Sequence, residues 1–475
     1  MLDFVIFAVT FLTVLLVAII WLYPSSKKVT TIPGLDPSTS EDGNLSDIAR
    51  AGSLHEFLME THAQFGPITG FWWGQTYAVS IASPDLFKQH ASVFDRPTEL
   101  FKLFEPMIGP LSIQYANGAD GRKRRQCYDR AFEHEKLHGY YETFQKVCCA
   151  SNGVVKKWLD KGEQDHIPLS EDMFSFAIKS ALFTLMGESF NDEKLVLSVK
   201  TAYDKAWGEM EHRLTDPIIP NEKSPRIKQF DEALKYIQNT VQKVVQHRKA
   251  HNAKEQGHLL IDAILEVSSS EEQVNSDTIT YMVGAFHTTA NLLTWCIYFL
   301  ATHSDVQEKL LKELKKVLGD KNVVDDQTYG QLSYMNQVLN ETLRCAVVAP
   351  WAARVQDFDT ELGGHRIPKN TPVIHALGVV LHDEKFWPLP NKFDPDRFSV
   401  EQSKNRSSYT FSPFGFAGKR KCPGYKFSYL ESAILLSTLI RKFKISLWED
   451  QVVQPVYGLV THPQEEIWIK VAKRQ

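Results

Sequence analysis

Phe414-Gly-Phe-Ala-Gly-Lys-Arg-Lys-Cys-Pro-Gly424 decides how the rest of this chain is read. The stretch frames one thiol, Cys422, between Gly418 and Gly424, with Arg420 two residues upstream. A thiolate that must approach a flat macrocycle needs backbone without a Cβ in the way, which glycine supplies. Arg420 can reach a propionate of such a ring, where its forked guanidinium makes charge-assisted hydrogen bonds. Backbone N–H groups at the start of a following helix favour the anionic sulfur. On a haem iron, a cysteine thiolate pushes electron density onto the metal and favours O–O cleavage. The plain alternative is a small buried cysteine in a glycine-rich turn, and motifs elsewhere in the chain decide between the two.

Glu341-Thr-Leu-Arg344 sets a carboxylate and a guanidinium on one helix face. Alone, such a pair is surface decoration. Pro390-Asn-Lys-Phe-Asp-Pro-Asp-Arg-Phe398 adds Arg397 on a rigid meander, 25 residues before Cys422. A Glu341–Arg344–Arg397 network would lock the cysteine loop against that helix, at a cost if one member were lost. Gly284-Ala-Phe-His-Thr-Thr289 lies on a long apolar segment. Small residues at 284 and 285 leave a gap where dioxygen can lie, and Thr288 offers it a hydroxyl. His287 can pass protons, since imidazole titrates near neutrality. A helix-packing notch with a satisfied core histidine is the alternative. Arg125 and Arg354 are expected to clamp propionates, against the alternative of solvated surface charge.

The 475 residues are 43% hydrophobic and 23% charged, with net charge −4 and pI about 6.5. That is an ordinary globular balance, with no global field favouring nucleic acid. Cys127, Cys148, Cys149, Cys296, Cys345 and Cys422 form no CxxC pair and read as free thiols in a reducing compartment. Phe4–Tyr23 is twenty residues without a charge, enough at about 1.5 Å each to span one bilayer core. Lys27 and Lys28 follow it, so positive-inside reasoning puts the remainder in the cytosol. The expected organisation is a membrane anchor over 1–28, a linker over 29–50 and one domain over 51–475. The expected location is the endoplasmic reticulum membrane, single-pass, with the domain cytosolic.

The pattern is mostly α with a minor β region. Tyr77–Ser83 alternates like a strand, and Thr215-Asp-Pro-Ile-Ile-Pro220 breaks a helical stretch with an apolar loop that could dip into lipid. A central helix follows Ser276-Asp277 to about Thr302, apolar nearly all round and hence enclosed. The next starts at Ser304 with Gln307 as a capping box and stops at Gly319. Further helices are expected over Tyr329–Val347 and Gly424–Lys442, with short strands after Pro350.

These elements, in this order along the whole chain, resemble a cytochrome P450. The start Met1-Leu-Asp-Phe4, Gly52-Ser-Leu-His-Glu-Phe-Leu58, Ala376-Leu-Gly-Val-Val-Leu381 and Glu465-Glu-Ile-Trp-Ile469 are similar to cytochrome P450 family 20. The resemblance implies a single haem-thiolate domain holding haem b (iron protoporphyrin IX), with Cys422 on the metal. It implies Arg125, Arg354, Arg420, Phe414, Gly418 and Gly424 around the cofactor, and catalysis by Thr288 and His287. Three departures stand out. Gly415 occupies the position of the usual loop phenylalanine, flanked by Phe414 and Phe416; His287 replaces an acid; and Gly121 replaces a tryptophan that helps Arg125.

The implied reaction is monooxygenation, one oxygen atom of O2 entering a small apolar, lipid- or sterol-like substrate. Phe101, Phe104, Phe286, Val348 and Trp351 are expected to line its pocket. The implied partners are NADPH–cytochrome P450 reductase, with cytochrome b5 as a second candidate, and membrane lipid. Arg122, Lys123 and Arg124, with Lys419, Lys421 and Lys426, would form a positive docking patch. A reductase-independent isomerase or peroxide-rearranging enzyme is the first rival, which the retained Thr288 argues against. A non-catalytic haem-binding protein is the second.

Overall fold

The structure, a computed structural model, describes residues 10–15 and 30–474 except 151–152, 163, 216–223, 251–258, 322 and 450. Of the expected anchor, residues 10–15 are helical and the rest lies outside the described residues, as do 216–220 of the apolar loop. Among the described residues no helix is long and apolar enough to cross a membrane.

A hairpin opens the sheet layer: β1 (Ile68–Trp73) turns through Gly74 into β2 (Thr76–Ile81), pairing Ile68 with Ile81. β3 (Ala352–Arg354) and β4 (Val373–His375) arrive from far along the chain. They complete the order β1-β2-β4-β3, with β2 and β4 parallel. Phe71, Val79, Ile81 and Ile374 bury against Phe57, Leu58 and Phe87 to make this layer's own core.

The larger core is helical. Its frame is α1 (Gly118–Tyr128), α2 (Leu169–Met186), α3 (Glu193–Thr215), α4 (Glu271–Thr302), α5 (Ser333–Ala346) and α6 (Tyr425–Lys442). α4 runs through the middle, burying Ile279, Met282, Phe286, Leu293 and Ile297. A strand near the end of the chain, Trp468–Lys473, lies between Ile167–Pro168 and Phe443–Leu447 and closes the far side.

Three expectations shift. α4 begins at Glu271, where the Ser270 hydroxyl accepts from Gln273 N–H at 3.1 Å. Asp277, read as part of the start, is buried inside the helix, accepting the Tyr128 hydroxyl at 2.7 Å and pairing with Arg124 at 3.2 Å. Gln307 makes no capping box: its amide nitrogen donates to Leu300 O at 2.7 Å and Ile445 O at 2.9 Å, and its oxygen accepts from Ile445 N–H at 3.0 Å. It stitches the helix Ser304–Leu318 to the terminal sheet. α5 starts at Ser333, with Asp326–Tyr329 as a separate turn.

Val347 ends α5 at φ +47, a left-handed conformation that is costly for a β-branched residue. The Thr461 hydroxyl donates to Val347 O at 2.7 Å, and Thr461 N–H donates to Val348 O at 3.0 Å. The held turn brings Val348 and Trp351 to the wall of the central cavity.

Candidate active site

A cavity of about 350 Å³ opens between α4, the sheet layer and the 414–424 loop. Gly415 (φ +74) and Gly418 (φ +56) let that loop double back. Cys422 N–H donates to Phe414 O at 3.0 Å, and Gly418 N–H donates to Ala91 O. Among the described residues Cys422 alone of the six cysteines lines the cavity. It is exposed by surface area while enclosed by protein, because the surface it shows is cavity wall. Burial pushes its thiol up; the Gly424 N–H and the charges of Arg125 and Arg96 pull it back toward the thiolate.

Gly424 itself has an ordinary backbone, φ −85, and a Cβ there would meet nothing nearer than Phe132 at 3.6 Å. Within the 414–424 loop the glycines with left-handed backbone are therefore Gly415 and Gly418; at 424 the missing side chain leaves cavity space. The two candidate rings separate. Phe414 lines the cavity and packs on Tyr429 at 5.4 Å, whereas Phe416 stacks on Phe87 and His375, both at 4.6 Å, inside the sheet core.

Four guanidiniums line the cavity: Arg96, Arg125, Arg354 and Arg420. Arg125 forks onto Asp129 at 2.8 and 3.1 Å and donates to Lys421 O at 2.7 Å, tying α1 to the cysteine loop. Arg420 donates to Ile113 O at 3.0 Å and to Ala116 O, with its guanidinium 4.5 Å from the Phe94 ring centroid. Arg354 donates to Ala353 O at 2.7 Å. Burial, then the neighbouring cations, push Arg420 down to about 9 and Arg354 to about 10. Arg96 falls well below its usual value for the same reasons. The Nε atoms of Arg354 and Arg420 are buried without a partner.

Crowded cations with spare donors call for a ligand carrying two negative charges and several acceptors. The two propionates of haem meet that description, so the residues present fit the group. Sequence reading missed Arg96, whose local signal is a cation held extended before Pro97. Gly121 is also explained: a Cβ there would stand 2.2 Å from Ala116 O and 2.9 Å from Arg420 Nη2. Arg420 reaches across the space a side chain at 121 would need.

Glu341 and Arg344 have fully buried side chains joined at 2.7 and 2.9 Å. Arg397 Nε lies 3.3 Å from Glu341 Oε1, close enough for an ion pair but without hydrogen-bond geometry. Glu341 also accepts Asp394 N–H at 2.9 Å, and Arg344 donates to Leu381 O and Lys392 O, both at 3.2 Å. α5 and the Pro390–Phe398 meander are thereby locked together.

On α4, Gly284, Ala285, Thr288 and Leu292 line the cavity at helical spacing. Thr288 Oγ1 donates to Gly284 O at 3.2 Å. His287 does not join them. It lines a separate pocket of about 300 Å³ with Tyr203, Trp207, Glu211 and His462, and its Nδ1 meets the Tyr203 hydroxyl. Burial, with the His462 charge, pushes it down to about 3. The expected proton-passing residue therefore faces a different pocket from the one Thr288 lines. Of the expected pocket residues, Phe101, Val348 and Trp351 line the cavity. Phe104 packs instead on Trp207, and Phe286 on Tyr203.

A cysteine thiol facing a helix notch across a cavity, with buried arginines at its side, defines a haem-thiolate class of protein. The cytochrome P450 family profile matches residues 33–471. The mouse protein "Cytochrome P450 20A1" is 39% identical over 477 residues, covering all of both chains, and the human one is 36% identical over 474 residues, again covering all of both. Mouse "Cytochrome P450 4V2" is 26% identical over 79% of this chain and 76% of its own. The chain belongs to the cytochrome P450 family, with full-length similarity to family 20. It is a cytochrome P450 monooxygenase, an oxidoreductase whose cofactor is haem b with an axial cysteine thiolate.

Proposed function

We propose that Cys422 is the axial ligand and that the enzyme oxygenates an apolar, lipid- or sterol-like substrate. Electrons come from NADPH–cytochrome P450 reductase, with cytochrome b5 as a second donor. The observation that carries this reading is the cavity with Cys422 on one side and Gly284, Ala285 and Thr288 on another, walled by Phe101, Leu292, Val348 and Trp351. Haem b held by a cysteine thiolate supplies dioxygen activation once bound. Arg96, Arg354 and Arg420 would hold its propionates, and Arg125 would fix the cysteine loop through Asp129 and Lys421. Thr288 keeps a hydroxyl proton at the notch where oxygen must lie, and the apolar walls exclude water from it. The uncharged run Phe4–Tyr23 with Lys27 and Lys28 behind it supports an endoplasmic reticulum anchor and a cytosolic active site.

The test is NADPH consumption by purified enzyme and reductase, with product analysis of a lipid and sterol extract. Reductase-dependent oxygenated products are expected, and turnover without reductase would overturn the reading in favour of rearrangement. Cys422→His should abolish the long-wavelength band of the reduced carbonyl complex, and a band that survives removes Cys422 from the metal.

A further inference from the structure

The run His134-Glu-Lys-Leu-His138 places two imidazoles one helical turn apart on the short helix His134–His138. That spacing lets two histidines on one face share a zinc ion. Asp326, from the turn Asp326–Tyr329 far along the chain, joins them. The donor atoms of His134, His138 and Asp326 all lie within 4.8 Å of one another, and His138 Nδ1 stands 3.7 Å from Asp326 Oδ1. Zinc holds nitrogen and oxygen ligands at about 2.0–2.2 Å. Two such ligands are separated by no more than about 4.4 Å, so small side-chain rotations close the site.

We propose that His134, His138 and Asp326 bind one divalent transition-metal ion, with zinc the best match to two imidazoles and a carboxylate. The surroundings are built for it. Asp325 caps the turn reciprocally with Thr328, its carboxylate accepting Thr328 N–H at 2.8 Å, so Asp326 sits on a fixed backbone. The Tyr141 hydroxyl donates to Asp326 Oδ1 at 3.4 Å, the outer hydrogen bond that orients a ligating carboxylate. Tyr141 also packs edge-on to Tyr329 at 6.3 Å, holding the two segments together without the ion. Leu137, between the histidines, is buried and anchors the helix. All three ligands are exposed, so water completes the shell. They stand on open surface rather than in a cleft, and the assignment is a binding site that clamps two segments, not a hydrolytic centre.

The experiment uses the untagged, haem-loaded full chain and Zn2+ itself, titrated against a chromophoric chelator, with metal content measured after dialysis. One zinc per chain is expected. His134→Ala, His138→Ala and Asp326→Asn should each weaken binding by at least the ~10–100-fold that follows loss of an outer-shell partner. Saturating zinc should raise the melting temperature of the wild type and not that of the double histidine variant. Cys149→Ser, removing another exposed donor, should leave affinity unchanged. Haem content of the variants, whose altered side chains face solvent, reports that they are folded. Wild-type protein that retains no zinc overturns the proposal. So does a double histidine variant that retains as much as wild type, or a loss that follows Cys149 instead.

Discussion

Thr288 and His287, neighbours on α4, face different cavities, and that separates their expected phenotypes. Thr288→Ala removes the hydroxyl at the notch, so NADPH consumption should continue while product falls and hydrogen peroxide rises. His287→Ala should leave that coupling at the wild-type value and lower stability instead, since Tyr203, Trp207 and Phe174 pack on the ring. Equal uncoupling in both variants would return His287 to the proton path. Glu431 makes a second residue-scale case. It is fully buried on α6, neither carboxylate oxygen has a hydrogen bond of good geometry, and burial raises it from 4.5 to about 8. A carboxyl raised on folding contributes most below its unfolded value, and that contribution drains away as pH climbs from about 4.5 through about 8. At about 1.4 kcal/mol per unit, Glu431→Gln should gain stability on the wild type progressively across that window. Parallel pH–stability curves would show that Glu431 is not the titrating group.

Between elements, the decisive contacts are buried charges and one close backbone approach. Glu341→Ala would strand Arg344 inside the protein, a loss of about 3–5 kcal/mol, to be read as faster thermal inactivation and haem release. A change under about 1 kcal/mol would mean that α5 and the meander hold together by packing alone. Gly121→Ala brings a methyl against Ala116 O and Arg420, so α1 must move away from the cysteine loop. Reduced haem retention is expected, and unchanged retention would show that the approach is looser than 2.2 Å implies. Both effects were partly foreseeable. The Glu341–Arg344 spacing and Arg397 are visible as motifs, but nothing in the chain announces that Arg420 fills the place beside Gly121, because that contact spans 299 residues.

For the whole molecule, net charge −4 conceals a local positive face beside the cysteine loop. Its membership differs from the expected run. Arg124 is buried in ion pairs with Asp120 and Asp277 and does not belong to it, and the Lys419 side chain lies outside the described residues. Arg122, Lys123, Lys421 and Lys426 are exposed. Complementary charge chiefly sets association rate and orientation, screened over about 8–10 Å. Arg122→Glu with Lys123→Glu should therefore slow the first reduction at low salt and flatten its salt dependence, with haem content intact. Normal reduction at low salt would place docking elsewhere.

Local chemistry was determined by the chain alone: the cysteine loop, the Glu–x–x–Arg pair, the Arg397 meander and the Gly284–Thr288 notch each carry their logic within a few residues. Helix ends such as Gly319 and the enclosed character of α4 were equally legible, because capping and periodicity are short-range. Orientation and partnership were decided by tertiary structure. Which of Phe414 and Phe416 meets the cavity, which way His287 turns, that Arg96 completes the cationic wall, and that Gln307 stitches rather than caps all depend on segments up to hundreds of residues away. A side chain's direction follows from the rotation of its element against its neighbours. No window of sequence encodes that angle; it is settled when all the apolar faces are buried together.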